Sequence, residues 1–271
     1  MHPLRPVQPT LREVAAGLRR HDLALYAGGL TFYGSIALLP ALLVALRIAG
    51  LLIGEDRVAR LGGRVADALP DALGAPDLVA NLIAEGAHLR LLTAVVALLP
   101  STLYGEGLRR AFARMARTDE SYTGWRGRAG VVPLLLVTPL MALAVLLSAP
   151  TLAHLTDSGH GGTALAVYLA LVLDWLVLSV PLSYVYRMLS PADVSWRAAA
   201  IGGTVTASFV SGFLQGFVLF LAIPLDLGLP FGGYTAVGAM VAVSLWLWVL
   251  HLIVLVGHQL VLVLDRPRRT G

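Results

Sequence analysis

The chain has 271 residues, of which 57% are hydrophobic and only 13% charged, with a formal net charge of +4. Soluble domains carry about 25% charged residues, so this composition, with a mean hydropathy of +0.78, excludes an ordinary soluble domain and points to a membrane protein of several crossings. The absence of cysteine removes disulfides, thiolate nucleophiles and Cys-ligated metals from consideration.

Residues 1–22 are polar and basic, with Arg5, Arg12, Arg19 and Arg20 and no apolar stretch among them, so they read as a cytoplasmic tail without a cleavable signal peptide. The apolar run over 23–54 predicts a first crossing that also serves as signal anchor. Pro40 predicts a kink within it, because proline cannot donate the helical hydrogen bond. Within this run, YAGGLTFYGSIALLPALLVAL (Tyr26 to Leu46) resembles the opening helix of the YihY/BrkB family of bacterial inner-membrane proteins.

Residues 55–88 form the long polar interlude. Arg57, Arg60, Arg64, Asp67 and Asp71 recur at three and four residues between Val58, Leu61, Val65, Leu69 and Leu73, and Asp77, Asn81, Glu85 and His88 repeat the pattern opposite Leu78, Leu82 and Ile83. This predicts two amphipathic helices in the first outer loop, joined between Pro70 and Pro76. They lie on the membrane or cap the bundle in one reading, and form a lid or docking surface in the other.

A second crossing is expected over 89–108, followed by Arg109, Arg110, Arg114, Arg117, Arg126 and Arg128. The third runs over 129–155 with Pro133, Pro139 and Pro150, and a Gly-rich turn leads to the fourth over 163–186. The fifth spans 198–225. The sixth, over 234–264, lies in an uncharged run from Leu227 to Leu264. As one helix that run would extend about 57 Å, more than the roughly 30 Å of hydrocarbon, so Pro230, Gly232 and Gly233 are expected to break its start. The fold class is all-α: a polytopic membrane protein with six transmembrane helices in a single membrane domain, closed by a short tail over 265–271.

With six crossings and the N-terminus inside, 15 arginines fall on the inner side and five on the outer, all five of those in the first loop or at its ends. This is the positive-inside pattern, with both termini cytoplasmic in a bacterial plasma membrane. It accounts for a pI near 9.8 without nucleic acid, which is not an expected partner. An anionic-lipid contact at the inner surface is compatible with it.

The resemblance is strongest in the C-terminal half. Tyr186-Arg-Met-Leu-Ser-Pro191, Trp196-Arg197 and Gly202 look like the family's tyrosine–proline turn and the start of its fifth helix, and Tyr234, Trp246 and Gly257 fall at the spacing of its last. Where the family has Gly-Ala-Glu, this chain has Gly257-His258-Gln259, so a role needing that carboxylate is not carried over. The resemblance covers residues 20–265 and implies a six-helix inner-membrane fold. It brings with it a ribonuclease label, a virulence label, and lipid- or lipopolysaccharide-related transport suggested for relatives.

Five residues are candidates for a substrate path. Asp174 stands mid-way along the fourth crossing, where an ionisable group costs about 2.5–3.5 kcal/mol and so faces the bundle or water. Glu106 is a second, although Arg109 and Arg110 stand at pairing distance along the helix. His251 and His258 share a face of the sixth crossing, with Gln259 beside the second, and offer a polar path or interhelical hydrogen bonds. On the fifth crossing, Ser208, Gly212 and Gly216, with Ala199, Gly203, Ala207 and Ser211 beside them, provide small-residue surfaces for helix packing or a homo-oligomer seam. The spacing His154, Asp157, His160 is weak evidence for a metal, and neither metal nor cofactor is expected. No phosphate cradle or nucleophile motif supports an enzyme, ribonuclease included. The expected function is lipid or envelope-component translocation, with the bilayer and envelope lipids as partners; the alternative is a non-catalytic scaffold or envelope-assembly factor.

Overall fold

The computed structural model describes residues 7–67, 75–118, 128–130, 132–134, 141, 160–221, 223 and 225–266, and among these it contains helices and no strand. The long elements are α1 (Val7–Leu18), α2 (Leu23–Ile53), α3 (Glu55–Asp67), α4 (Ala75–Ala87), α5 (Leu91–Ala116), α6 (His160–Met188), α7 (Trp196–Leu221) and α8 (Thr235–Asp265), with a 3₁₀ turn over Leu229–Phe231 before α8. Among the described residues, four stretches are long and apolar enough to cross a membrane: Leu23–Ile53, Gly161–Met188, Trp196–Phe217 and Thr235–Asp265. The chain is therefore an all-helical membrane protein. The crossing expected over 129–155 falls almost entirely outside the described residues, as do His154 and Asp157.

Local chemistry explains where the helices begin and end. The Asp22 side chain accepts a hydrogen bond from the Leu25 amide at 3.2 Å and so caps α2. Gly54, at φ 92°, ends it in a conformation that glycine adopts without a Cβ penalty. Pro40 sits inside α2, where one turn earlier the Ala37 carbonyl accepts from Ser101 of α5 at 3.2 Å. Helix α5 runs past residue 108 to Ala116, carrying Arg109, Arg110 and Arg114 out on its last turns. Residues 1–22, a tail by composition, contain α1, whose Thr10 and Val14 are buried where it packs against α8.

Buried side chains concentrate at one end of the bundle. The main core joins Ala27 and Leu30 of α2, Leu108, Phe112 and Met115 of α5, Tyr186 and Leu189 of α6 and its turn, Ala198 and Ala199 of α7, and Leu255 and Val261 of α8. These positions lie near the starts of α2 and α7 and the ends of α5, α6 and α8, as alternating helix directions require. It is also the basic end, with Arg114, Arg117, Arg187, Arg197 and Arg266. Elsewhere Leu38, Leu39, Phe209, Leu219, Met240 and Leu245 are more than half exposed, faces that acyl chains cover in a bilayer.

A smaller cluster holds α3 and α4 against the far part of α2, through Leu46, Ala49, Val58, Leu61 and Ile83. Gly62 lies against Ile83 and Gly86 against Leu46. The Arg47 guanidinium donates to Glu55, whose other oxygen lies 2.9 Å from His88 Nδ1. These partners, Arg47 first, hold the Glu55 carboxyl below its usual 4.5. A lowered carboxyl pKa supports the fold above the unfolded value and loses that support as pH falls through the folded one. Protection factors for amide hydrogen exchange over residues 55–67 are therefore expected to fall only below about pH 4.5, and Glu55→Gln to remove that dependence.

Helices α7 and α8 meet where side chains are smallest. A Cβ added at Gly257 would overlap the Thr206 and Tyr186 hydroxyls, and one at Gly202 would meet Val261. Gly257→Ala is expected to lower stability by about 1–3 kcal/mol, read as a fall in the unfolding temperature in detergent, whereas Gly212→Ala, with open space beside it among the described residues, should be near neutral.

Candidate functional site

Helix α8 carries three buried polar side chains, His251, His258 and Gln259. His251 is wedged between α2 and α5: its Nδ1 lies 2.7 Å from the Leu247 carbonyl, and its Nε2 lies 3.0 Å from the Tyr104 hydroxyl. The network assigns the proton to Nδ1, so that Nε2 accepts from Tyr104. The Thr31 hydroxyl, which donates to the Ala27 carbonyl at 2.8 Å, stands 3.3 Å from Nδ1. Gly34 faces the ring and leaves room for it. Both nitrogens of this histidine are thus engaged within the protein.

His258 has a different environment two turns later. It is fully buried and stacked on Phe112 of α5, with ring centroids 3.9 Å apart and planes 9° from parallel. Its Nε2 lies 3.0 Å from Ser190 Oγ in the turn after α6. Its Nδ1 finds no partner among the described residues. The reason is local. The carbonyl four residues back, at Val254, is taken by Tyr186, whose hydroxyl donates to it at 2.8 Å and lies 3.1 Å from Thr206 Oγ1. Tyr186, Gly202 and Gly257, three positions that carry the family resemblance, therefore form one junction of α6, α7 and α8.

Gln259 is 2% exposed, and its Oε1 has no hydrogen-bond partner among the described residues. It faces Gly17 of α1, where any Cβ would collide with the carboxamide. Glu106, near the end of α5, is gripped by Arg110 on its own helix and by Arg128, whose Nε lies 2.9 Å from Oε2. Its charge is answered by two guanidiniums at the basic end, which makes it a fastener of α5 to the segment after it.

Asp174 lies elsewhere, half-buried on the seam between α6 and α7 at the midpoint of α6. It accepts a hydrogen bond from Gln215 Nε2 at 2.7 Å. The same seam carries the Trp175 indole donating to the Thr204 carbonyl at 2.9 Å and Ser211 3.5 Å from the Leu171 carbonyl. Ser183 sits directly against Gly203. Of the small residues on α7, Ala199, Gly203, Ala207 and Ser211 are buried. Ser208 bonds back to its own helix and is exposed, Gly212 has open space beside it among the described residues, and a Cβ added at Gly216 would lie 3.6 Å from the Trp246 ring of α8.

The five path residues thus occupy three separate places: α8's interior, the outer turns of α5, and the α6–α7 seam. Sequence reasoning missed Tyr104 and Gln215, and read Tyr186 and Ser190 only as parts of a family-like turn; all four hold or complete these groups. A tyrosine or glutamine within a long apolar run was the available signal for three of them, since such polar tips seek partners when buried. Tyr186→Phe is expected to cost about 1 kcal/mol in thermal unfolding, with membrane insertion unchanged.

A family model described as Virulence factor BrkB matches residues 14–271. No curated protein and no solved structure matches the chain.

Proposed function

The chain belongs to the virulence factor BrkB family, and we propose that it is a non-enzymatic inner-membrane protein that moves lipids or other envelope components between leaflets. In this reading it crosses the membrane six times, with α5 and the segment around 129–155 adding to the four long apolar helices. The basic end of the bundle then faces the cytoplasm and both termini lie there, because arginine-rich segments are retained on that side. Helices α3 and α4 stand on the outer face.

One observation carries the translocation reading. Asp174 sits at the centre of a 29-residue helix and its hydrogen-bond partner there is the neutral Gln215. A carboxyl group at that depth is costly to insert and no cation among the described residues offsets it, which favours a role in handling a polar group within the bilayer. The Trp175, Ser179, Ser183 and Ser211 side chains continue the same polar line along the seam. A headgroup sliding there would find hydrogen-bonding groups while its tails stay in lipid.

The scaffold reading draws on a different feature, the α3–α4 pair with its own small core, which offers a rigid surface outside the bundle. The two readings separate in reconstituted vesicles containing a fluorescently labelled phospholipid. Wild-type protein is expected to accelerate transfer of label between leaflets, and Asp174→Asn to slow it several-fold with unchanged insertion and yield. No acceleration by the wild type would favour the scaffold, and equal rates for the two proteins would remove Asp174 from the path.

A further inference from the structure

A cavity of about 330 Å³ opens at the basic end, where the end of α1, the end of α5, the α6–α7 turn and the end of α8 meet. Its lining includes Arg20, His21, Arg117, Gln259, Asp265 and Arg266. Three guanidiniums and one carboxylate leave it net positive. That carboxylate is already committed, since Asp265 Oδ1 accepts from the Ser195 amide at 2.9 Å, at the start of α7. Arg20 and Arg117 make no ion pair among the described residues. Their field and burial together lower the pKa of the His21 imidazole, burial being the larger cause.

Two further features mark this as a built cavity. Gln259 lies against it almost fully buried, with its Oε1 unpartnered among the described residues. Arg117 holds φ 54° and ψ 41°, the left-handed conformation that closes α5 and that glycine normally occupies. It is the one non-glycine residue with positive φ among those described. An arginine thus occupies a backbone position that glycine would fill at less cost, and it lines a positive cavity.

We propose that this cavity binds a phosphate-bearing anion, gripped by Arg20 and Arg117, with the Gln259 carboxamide taking a hydroxyl carried beside the phosphate. Guanidinium forks match phosphate oxygens, and a volume near 330 Å³ admits a glycerophosphate-sized group. The bearer is a phospholipid headgroup reaching in from the inner leaflet or a soluble phosphate ester. The site does not rest on the translocation reading: Asp174 lies mid-membrane on another seam, so either can fail without the other.

The test uses the full chain in a neutral detergent. It is titrated with inorganic phosphate and with glycerol 3-phosphate by calorimetry, and examined by native mass spectrometry after incubation with phosphatidylglycerol or phosphatidylcholine. Saturable binding of glycerol 3-phosphate identifies a soluble ester. Selective retention of phosphatidylglycerol with no soluble binding identifies the headgroup. In either case Arg117→Gly should weaken binding by about tenfold or more while unfolding at the same or a higher temperature, because glycine suits that backbone. Arg20→Gln serves as a second variant independent of backbone conformation, with the same expected loss. Binding of no probe, or binding unchanged in both folded variants, overturns the proposal.

Discussion

The close approach of α8 to α6 and α7 at Gly257 governs the bundle's basic end. Lipid tails are as apolar as leucine, so helices in a bilayer gain little by hiding leucines from them; contact distance and hydrogen bonds decide which surfaces meet. Gly257 lets the α8 backbone come within reach of the Tyr186 hydroxyl, which then bonds the Val254 carbonyl. That bond takes the acceptor His258 would otherwise use, and the imidazole instead stacks on Phe112 and meets Ser190. One missing side chain thus settles the partners of four others, three on α5, α6 and α8 and one in the turn after α6.

His251 and His258 show how much depends on such neighbours. They share a helix, a face and a residue type. His251 donates to the carbonyl one turn back and accepts from a tyrosine, a closed account. His258 is denied the equivalent carbonyl and retains an unpartnered nitrogen among the described residues. Spacing on a helix placed both on an inward face but carried no information about which carbonyl would remain available.

That contrast also describes what was legible in the residues. The long apolar helices were, because a strongly apolar run of that length has few alternatives: α2 ends one residue from its expected limit and α8 one residue from its own. The end of α5 was not, since charge marks where lipid stops and a helix may continue beyond it on arginine stems. Helix α1 hid for a related reason: its twelve residues are too short and too polar to register, and its burial comes from α8. Asp174, His251 and His258 stood out as chemistry in an apolar setting, whereas Gln215, Tyr104 and Ser190 are partners chosen by tertiary structure. On α7 two ladders of small residues lie side by side, and only the neighbouring helix decides that Ala199, Gly203, Ala207 and Ser211 are the buried ones.

The uneven distribution of buried side chains gives the molecule a mechanical polarity. Phe112, Leu108, Tyr186, Leu189, Leu255, His258 and Val261 all lie toward the basic end of the bundle, and of the largest fully buried side chains among the described residues only Val58 belongs to the opposite cluster. Interlocked side chains resist shear, while helices touching mainly through lipid-facing surfaces can tilt at little cost. Among the described residues, then, the arginine-bearing end behaves as a clamped root, whereas the distal halves of α6, α7 and α8 are held by a sparser set of contacts, chiefly the Asp174–Gln215 hydrogen bond and the Trp246 ring against Phe213 and Phe217.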